Sequence, residues 1–318
     1  MTNTIPLLDL GDADFDVRFL QACRTVGFVA IEGHEIEPEL VAAMRAMQRE
    51  LFGLSDQRKN ELRITPTNYR GFIPLGFFTP NRSEVNGNMP DLYEGFKLHW
   101  ECPPNQPERS DCMLYGANRW VTEVPGMAAT VLEYWSRCDS LADQLLFPLA
   151  DHLGVDRAHL QSWFEAPLTN MTLLHYPPQD PGAETSGIHA HKDTNVLTFL
   201  HPDPVGGLQI RDRDGSWIEA APPDTAILVN IGEMLELWSG GEFVATPHRV
   251  VNRSGAHRYS FPWFLVPRHD VIVEPLGRCQ PDYVPTAMPV GELSAEVWRT
   301  NWANQDPDST FDLGSLDR

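Results

Sequence analysis

The chain has 318 residues, and 42% of them are hydrophobic, so it is long enough to bury a large core. Its 44 Asp and Glu residues outnumber its 24 Lys and Arg residues, which gives a formal net charge of -20. Because an acidic surface of this kind repels phosphate backbones and anionic lipids, we expect neither a nucleic acid nor a membrane as a partner.

The opening segment lacks the basic start and the apolar stretch of a secretory signal. No uncharged apolar run in the chain is long enough to cross a bilayer, so we expect a cytoplasmic protein. Strands are predicted at 5–10 and 26–33, with a short helix between them over 14–24. Pro38 is suited to a first helical turn, and the sequence predicts a helix from there to Leu54.

The clearest predicted helix spans 126–151, and Gly154 lies just beyond its end. Apolar residues recur in it at spacings of three and four, which is typical of a helix face packed on a core. This apolar stripe consists of Val131, Trp135, Cys138, Ala142, Leu145 and Leu149.

From about 168 to 276 the sequence breaks into short apolar runs bounded by Pro, Gly, Asn or Asp, with no helix expected between them. Many strands without intervening helices favour an antiparallel double sheet, so we predict a mainly β protein with flanking helices and a jelly-roll core. Loops are expected at 78–90 and 177–187. The predicted strand runs are LTNMTLLHY, NVLTFL, GGLQI, WIEAA, TAILVNI, FVATPHRVVN, RYSFPWFLV and VIVEPL.

We divide the chain into an N-terminal mixed portion (1–165), a jelly-roll core (166–280) and a C-terminal segment (281–318). The cysteines are scattered, odd in number and contain no C-x-x-C pair, which fits neither a disulfide framework nor a zinc knuckle. We therefore expect them to be reduced. The five are Cys23, Cys102, Cys112, Cys138 and Cys279.

His191 and Asp193 form an H-x-D pair, and in a strand this spacing points both side chains to the same face. Two histidines and one carboxylate are the usual ligands of open non-haem iron sites. An H-x-D pair is expected about once by chance in a chain of this composition, and a second pair occurs at His201 and Asp203. The second pair contains two prolines and precedes a Gly-Gly turn, so we interpret it as a loop.

His248 is the best candidate for the third ligand, because it directly precedes the strand-like RVV. Taken alone, it is better explained as a hydrogen-bonded core residue. His189 shares the predicted face of His191 and Asp193, so it is a candidate for a further ligand or for a side chain that supports the site.

Arg258 and Ser260 lie two residues apart in a predicted strand, so they share a face. A guanidinium can bind a carboxylate through two parallel N–H groups, and a hydroxyl can add a third hydrogen bond. In so acidic a chain, an anionic ligand needs a local basic group of this kind. The alternative is a structural ion pair between Arg258 and an aspartate.

In this order and spacing, the motifs resemble the isopenicillin N synthase family of iron(II)/2-oxoglutarate-dependent dioxygenases. The resemblance extends over nearly the whole chain. Its motifs are HKD (191–193), HRV (248–250), RYS (258–260), LLHYPP (173–178), ILVNIGEMLELWSGGEF (227–243), IPLLDL (5–10), GFVAIEGHEI (27–36), YRGF (69–72), PDLYEGFKL (90–98) and YGANRW (115–120).

The resemblance implies a double-stranded β-helix core with a helical N-terminal portion. It also implies that Fe(II) is bound by His191, Asp193 and His248, and that 2-oxoglutarate is bound by four further residues. These are Arg258 and Ser260 at its distal carboxylate, Tyr176 as a hydrogen-bond partner and Asn230 as a support of the site. The sequence departs from the family pattern at Leu174 and His175 and in the degenerate turn Gly33-His34-Glu35.

Three protein ligands leave three iron positions, two for the keto acid and one for O2. The carboxylate of Asp193 favours hydroxylation or desaturation over halogenation, with release of succinate and CO2. Family members that use O2 without 2-oxoglutarate or form ethylene from it, a silent 2-oxoglutarate sensor and a zinc hydrolase remain alternatives.

The expected substrate is a small molecule, an amino acid or an intermediate of specialised-metabolite biosynthesis, and the protein is expected to be a monomer or a homodimer. Each candidate for the substrate pocket also has a plain structural explanation. These candidates are His175, His189, Glu94, Lys97 and Phe264.

Overall fold

The structure is a computed structural model, and it describes residues 5–65, 67–78, 90–179 and 187–303. Its α-helices are α1 (Phe15–Thr25), α2 (Pro38–Phe52), α3 (Asp56–Glu61), α4 (Met127–Leu153), α5 (Arg157–Ser162), α6 (Glu233–Trp238) and α7 (Val290–Ala303). A short 3-10 helix spans Pro107–Ser110.

The first strands are β1 (Leu7–Asp9), β2 (Phe28–Glu32), β3 (Gly71–Ile73), β4 (Glu94–His99), β5 (Asn170–Tyr176), β6 (Ile188–His191), β7 (Leu197–Leu200) and β8 (Leu208–Arg211). They are followed by β9 (Trp217–Glu219), β10 (Ile227–Ile231), β11 (His248–Val250), β12 (Arg258–Ser260), β13 (Trp263–Leu265), β14 (Ile272–Val273) and β15 (Met288–Pro289).

Two sheets form the jelly roll, and this confirms the predicted fold class. The major sheet has nine strands in the order β1-β2-β10-β7-β13-β5-β4-β3, and β12 also pairs with β5. The minor sheet has the order β6-β11-β8-β9. Hydrophobic residues of both sheets meet in one cluster between them, which includes Phe28, Tyr176, Ile210 and Val250.

Helices cover the other face of the major sheet. Strand alternation separates the two faces: Phe28 of β2 belongs to the cluster between the sheets, whereas Val29 and Ile31 belong to the larger core under the helices. The helix α4 contributes its predicted apolar stripe to that core, and it ends at Gly154, whose φ of 69° suits a residue without a Cβ.

Several strand runs are shorter than the sequence predicts. The run RYSFPWFLV is divided into β12 and β13 at Pro262, and the run around His248 is a strand only from that residue onward, after Pro247. A proline has no N–H to donate to the ladder, so it interrupts pairing. The run VIVEPL pairs through β14 with β15, apart from both large sheets.

Other elements were not expected from the sequence. No strand was predicted at the position of β4, which pairs along its whole length with β5 in the major sheet. The short helix α6 lies among strands where no helix was expected. The strands β1 to β4 join the same sheet as the core strands. The division of the chain between residues 165 and 166 stays a prediction.

Most of the two predicted loops, residues 79–89 and 180–186, lies outside the described residues. Within the described part of the chain, no helix combines the length and the apolar composition needed to cross a bilayer.

Candidate metal centre

His191, Asp193 and His248 come together where the minor sheet meets the turn after β6. The strands β6 and β11 are antiparallel, and their register places His248 opposite His191, with the ring centroids 4.4 Å apart. Asp193 follows two residues after the end of β6, in the turn that leads to β7 rather than in the continuous strand that the sequence suggested. One ligand atom from each residue lies within 4.8 Å of the other two, and this is the one such group in the described residues.

Backbone carbonyls orient both imidazoles. The Nδ1 atom of His191 lies 2.8 Å from the carbonyl oxygen of His189, and Nδ1 of His248 lies 3.2 Å from that of Thr246. Since a carbonyl only accepts hydrogen bonds, this geometry assigns the proton of each neutral ring to Nδ1. The Nε2 atoms then present lone pairs toward Asp193, whose Oδ1 lies 3.5 Å and 3.7 Å away.

Two polar side chains hold the carboxylate of Asp193. Its Oδ2 accepts a hydrogen bond of 2.6 Å from the Thr198 hydroxyl and one of 2.9 Å from the Asn230 amide. These bonds leave Oδ1 facing the imidazoles. Outer partners of this kind fix the orientation of a metal ligand.

The electrostatics of the three groups suit a divalent cation. Burial alone would raise the pKa of Asp193, but the His248 and His191 imidazoles and the Thr198 hydroxyl hold this pKa far below its ordinary range. Burial lowers the pKa of His248 to about 4, so this ring is neutral at neutral pH. The Asp193 carboxylate raises the pKa of His191 against the effect of burial, so a metal ion competes there with a proton.

His189 and the residues of the second H-x-D pair have other partners. The Nδ1 atom and the backbone N–H of His189 lie 2.7 Å and 2.9 Å from the Asp91 carboxylate, so this ring is held outside the ligand group. His201 is buried with its Nδ1 atom 2.9 Å from the Tyr134 hydroxyl. Asp203 accepts hydrogen bonds from backbone N–H groups, including that of Tyr259, within the loop between β7 and β8.

Arg258 and Tyr176 lie side by side in the space between the sheets. The strands β12 and β5 pair them directly, and the Arg258 guanidinium carbon lies 4.8 Å from the centroid of the Tyr176 ring. Arg258 is 2% exposed and donates from Nε to the carbonyl oxygen of Gly206 at 2.7 Å. Its Nη1 atom has no hydrogen-bond partner among the described residues. Ser260, on the same face of β12, is also buried.

A cavity of about 250 Å³ opens beside Asp193. Lys97 and Phe264, two of the predicted pocket residues, line it. Side chains from β4, β5, β13, α7 and the turn after β6 form most of the wall. The lining consists of Tyr69, Lys97, His99, Leu114, Leu168, Asn170, Lys192, Asp193, Thr194, Asn195, Phe264, Val266, Leu293 and Ser294.

Glu94 and His175, two further predicted pocket residues, do not line this cavity. The His175 Nδ1 atom lies 2.7 Å from the Glu94 carboxylate, and the His175 ring packs near Phe52 of α2. Strand alternation explains this placement, because Glu94 and His175 lie on the helix-covered faces of β4 and β5, opposite to Lys97 and Tyr176.

Thr198, Asn170 and His99 were not singled out from the sequence. Each is a polar residue next to apolar residues of the helix-side core in its strand. That pattern was the available signal, because an unexplained polar side chain on a buried strand face needs a partner.

Two family models match the chain. The 2OG-Fe(II) oxygenase superfamily matches residues 168–267, and the N-terminal model of non-haem dioxygenases in morphine synthesis matches residues 5–123. Among curated proteins, homoarginine-6-hydroxylase 2-ODD-C23 of Glycine max is 30% identical over 265 residues, 80% of this chain and 78% of that protein. The 2-oxoglutarate-Fe(II) type oxidoreductase hxnY of Emericella nidulans is 31% identical over 83% of this chain and 79% of its own.

Solved structures share the fold. A full-length protein of Neurospora crassa, solved in complex with alpha-KG, superposes with a TM-score of 0.78 at 23% identity, and the match covers 93% of this chain and 96% of that one. JOX2 in complex with 2OG, Fe and JA gives a TM-score of 0.75 at 25% identity over 93% of this chain and 84% of that one.

Proposed function

The chain belongs to the 2OG-Fe(II) oxygenase superfamily, and from this premise we propose a role for each residue of its site. His191, Asp193 and His248 bind Fe(II), while Arg258 and Ser260 bind the distal carboxylate of 2-oxoglutarate beside Tyr176. The protein is a dioxygenase that uses Fe(II), 2-oxoglutarate and O2 to oxidise a small molecule, with release of succinate and CO2.

The unpartnered Nη1 atom of Arg258 carries this proposal. Leaving a buried donor unpaired costs about 1–3 kcal/mol, and more where the group is charged. A carboxylate between the sheets would accept from Nη1 while Nε stays on Gly206, and the Ser260 hydroxyl on the same strand face would add a further donor. No carboxylate among the described residues pairs with Arg258, so the structural ion pair considered from the sequence receives no support.

The donor set of the triad fits a metal that keeps positions open. Two neutral imidazoles and one carboxylate, with ligand atoms within 4.8 Å of one another, are the donors that non-haem iron oxygenases use. When bound, iron supplies the activation of O2, which is coupled to the decarboxylation of 2-oxoglutarate. The protein contributes by presenting both Nε2 atoms and Asp193 Oδ1 in a fixed orientation.

Asn230 supports the carboxylate ligand in this proposal. Its amide is occupied by Asp193 Oδ2, so we assign it to the orientation of the metal ligand rather than to direct contact with 2-oxoglutarate.

For the reaction, we propose hydroxylation at a C–H bond of an amino acid or an intermediate of specialised metabolism. The support is a relative that is named a hydroxylase and the presence of a carboxylate in the ligand set. The cavity beside Asp193 is the place for the substrate, because Asp193 is part of its lining and Arg258 is not.

The proposal is tested with anaerobic protein, Fe(II) and 2-oxoglutarate, by following the visible charge-transfer band of a metal-chelated keto acid. We expect the band in the wild type, its loss in His248→Ala, and a 2-oxoglutarate affinity lowered roughly tenfold to a hundredfold in Arg258→Ala. Admission of O2 should then yield succinate, and a substrate should increase its rate.

Arg249→Ala is the matched control, since this arginine lies on the other face of β11, over the ring of Trp217. It should bind 2-oxoglutarate like the wild type. Absence of the band in the wild type, or equal 2-oxoglutarate affinities in Arg258→Ala and Arg249→Ala, would overturn the assignment. Oxygen consumption with substrate but without succinate would indicate a family member that does not use 2-oxoglutarate, and a band without any turnover would indicate a sensor.

A further inference from the structure

The chain contains three lysines, and two of them pair with carboxylates. Lys59 Nζ lies 3.0 Å from Glu94, and Lys192 Nζ lies 3.2 Å from Glu236. Lys97 forms no ion pair with any acidic residue that the structure describes. An ammonium group without a carboxylate partner is unusual in a chain with a net charge of -20.

Neutral oxygen atoms hold the Lys97 ammonium at the wall of the cavity. Its Nζ donates to the Asn170 amide oxygen at 2.6 Å and to the Thr172 hydroxyl at 2.9 Å. These two bonds use two of its three N–H groups. The rings of Phe264 and Tyr69 have their centroids 5.3 Å and 5.8 Å from Nζ, so aromatic faces flank the charge.

Among the described residues, the cavity offers this ammonium no carboxylate close enough to form an ion pair. Asp193 is the one carboxylate among the described lining residues, and its charge belongs to the metal in the proposed function. Lys192, the other lysine of the lining, forms an ion pair with Glu236. The remaining wall is neutral and largely apolar, with Leu114, Leu168 and Leu293 among its members.

We propose that the primary substrate is a monocarboxylate whose carboxylate pairs with Lys97 and whose apolar or aromatic body lies against Phe264 and the leucines of the cavity. This inference rests on the proposed function, because the body of the substrate then extends toward the metal at Asp193. The carboxylate takes the remaining N–H of Lys97, in a site distinct from the Arg258 guanidinium that binds the cosubstrate.

Burial adds an electrostatic argument. It lowers the pKa of Lys97 to about 7, because the cavity disfavours the charged form. A bound carboxylate stabilises the charged form of Lys97, so binding of the acid is coupled to protonation of this lysine. A purely structural lysine that tied β4 to β5 through Asn170 and Thr172 would gain nothing from an acid.

The test measures binding by calorimetry on protein loaded with Zn(II) and 2-oxoglutarate, which requires no turnover. The probes are 3-phenylpropanoate, octanoate and N-acetylleucine, each compared with its primary amide. We expect the acids to bind at least roughly tenfold more tightly than the amides, and Lys97→Met to remove this difference by weakening acid binding roughly tenfold to a hundredfold. Lys97→Arg should retain a preference for acids.

Lys59→Met is the control, because Lys59 is paired on the helix-covered side of the sheet and does not line the cavity. Equal affinities for acids and amides in the wild type, binding of no acid, or an unchanged acid preference in Lys97→Met would overturn the inference. The anaerobic Fe(II) and 2-oxoglutarate band separates the two proposals. If the band forms and Lys97→Met keeps it while acids are not preferred, only the substrate class is wrong.

Discussion

The Asp193 carboxylate depends on Thr198, a single hydroxyl in an otherwise apolar strand. Replacing Thr198 by Val keeps the shape but removes the donor to Oδ2, so Asp193 loses one of its two fixed partners. We expect Thr198→Val to weaken Fe(II) binding about tenfold to a hundredfold. Anaerobic titration with Fe(II), followed by the charge-transfer band, measures this affinity.

Thr198→Ser is the matched control, because it keeps the hydroxyl and should bind Fe(II) within about threefold of the wild type. Equal affinities of the Val and Ser variants would show that the hydroxyl does not position Asp193.

The pKa of Lys97 predicts a pH dependence of acid binding. Only the protonated lysine attracts a carboxylate, so affinity should be constant below the pKa of about 7 and fall about tenfold per pH unit above it. The groups around Lys97 do not change their charge in this pH range. Burial holds the pKa of His99 far below neutral and that of Tyr69 far above it, Asp193 stays ionised, and Lys192 stays paired with Glu236.

Calorimetry of 3-phenylpropanoate binding from pH 6 to 9, roughly one unit below to two units above that pKa, gives the profile. The amide of the same acid should show no such slope. A flat profile for the acid would mean that the charge of Lys97 does not contribute to binding.

At the scale of elements, the start of α6 fixes the turn that carries Asp193. The backbone N–H of Glu233 donates to the Asp193 carbonyl at 2.8 Å, and that of Gly232 donates to the Val196 carbonyl at 3.1 Å. Gly232 approaches Asn195 so closely that a Cβ would overlap the Asn195 backbone and side chain.

Gly232→Ala should therefore push the turn away from α6. We expect a loss of about 1–3 kcal/mol in the free energy of unfolding, together with weaker Fe(II) binding. Urea denaturation of the metal-free protein measures the first effect and anaerobic titration the second.

Gly277→Ala is its control, because a Cβ at Gly277 meets no atom within 4 Å. It should change stability by no more than about 0.5 kcal/mol. Wild-type stability and iron affinity in Gly232→Ala would show that the turn is not held against α6.

Pairing between distant strands brings the other site residues together. The register of β6 with β11 places His191 opposite His248, and that of β5 with β12 places Tyr176 opposite Arg258. The predicted strand runs contain β5, β11 and β12 with the residue types that they carry, but not β6, and the sequence did not show which strands pair. Pairing across 57 or 82 residues depends on the packing of the whole sheet, which no local pattern encodes.

At the scale of the whole molecule, the ligands of the site should stabilise the fold by mass action. A ligand at about 100 times its Kd adds about 2.7 kcal/mol, which for a domain of this size raises Tm by roughly 4 °C. We expect Zn(II) to raise Tm, 2-oxoglutarate to raise it further only when metal is present, and a chelator to reverse both changes. Differential scanning calorimetry provides the measurement.

Arg258→Ala separates these contributions, since it should keep the rise from the metal and lose the rise from 2-oxoglutarate. A rise from 2-oxoglutarate without metal, or one that persists in Arg258→Ala, would contradict the arrangement proposed for the site.

The sequence by itself predicted the long helix α4, a β-rich second half and a metal ligand set of two histidines and an aspartate, and it suggested an arginine with a serine for a carboxylate. Local periodicity suffices for the helix and the strands, whereas the roles of the site residues came from the order and spacing of the motifs that carry the family resemblance. Only the tertiary structure decided which faces are inside, so that Lys97 and Phe264 line the cavity while Glu94 and His175 lie under the helices. The physical reason is that a strand's period of two shows which residues share a face, whereas the layers packed on either side decide which face meets the cavity.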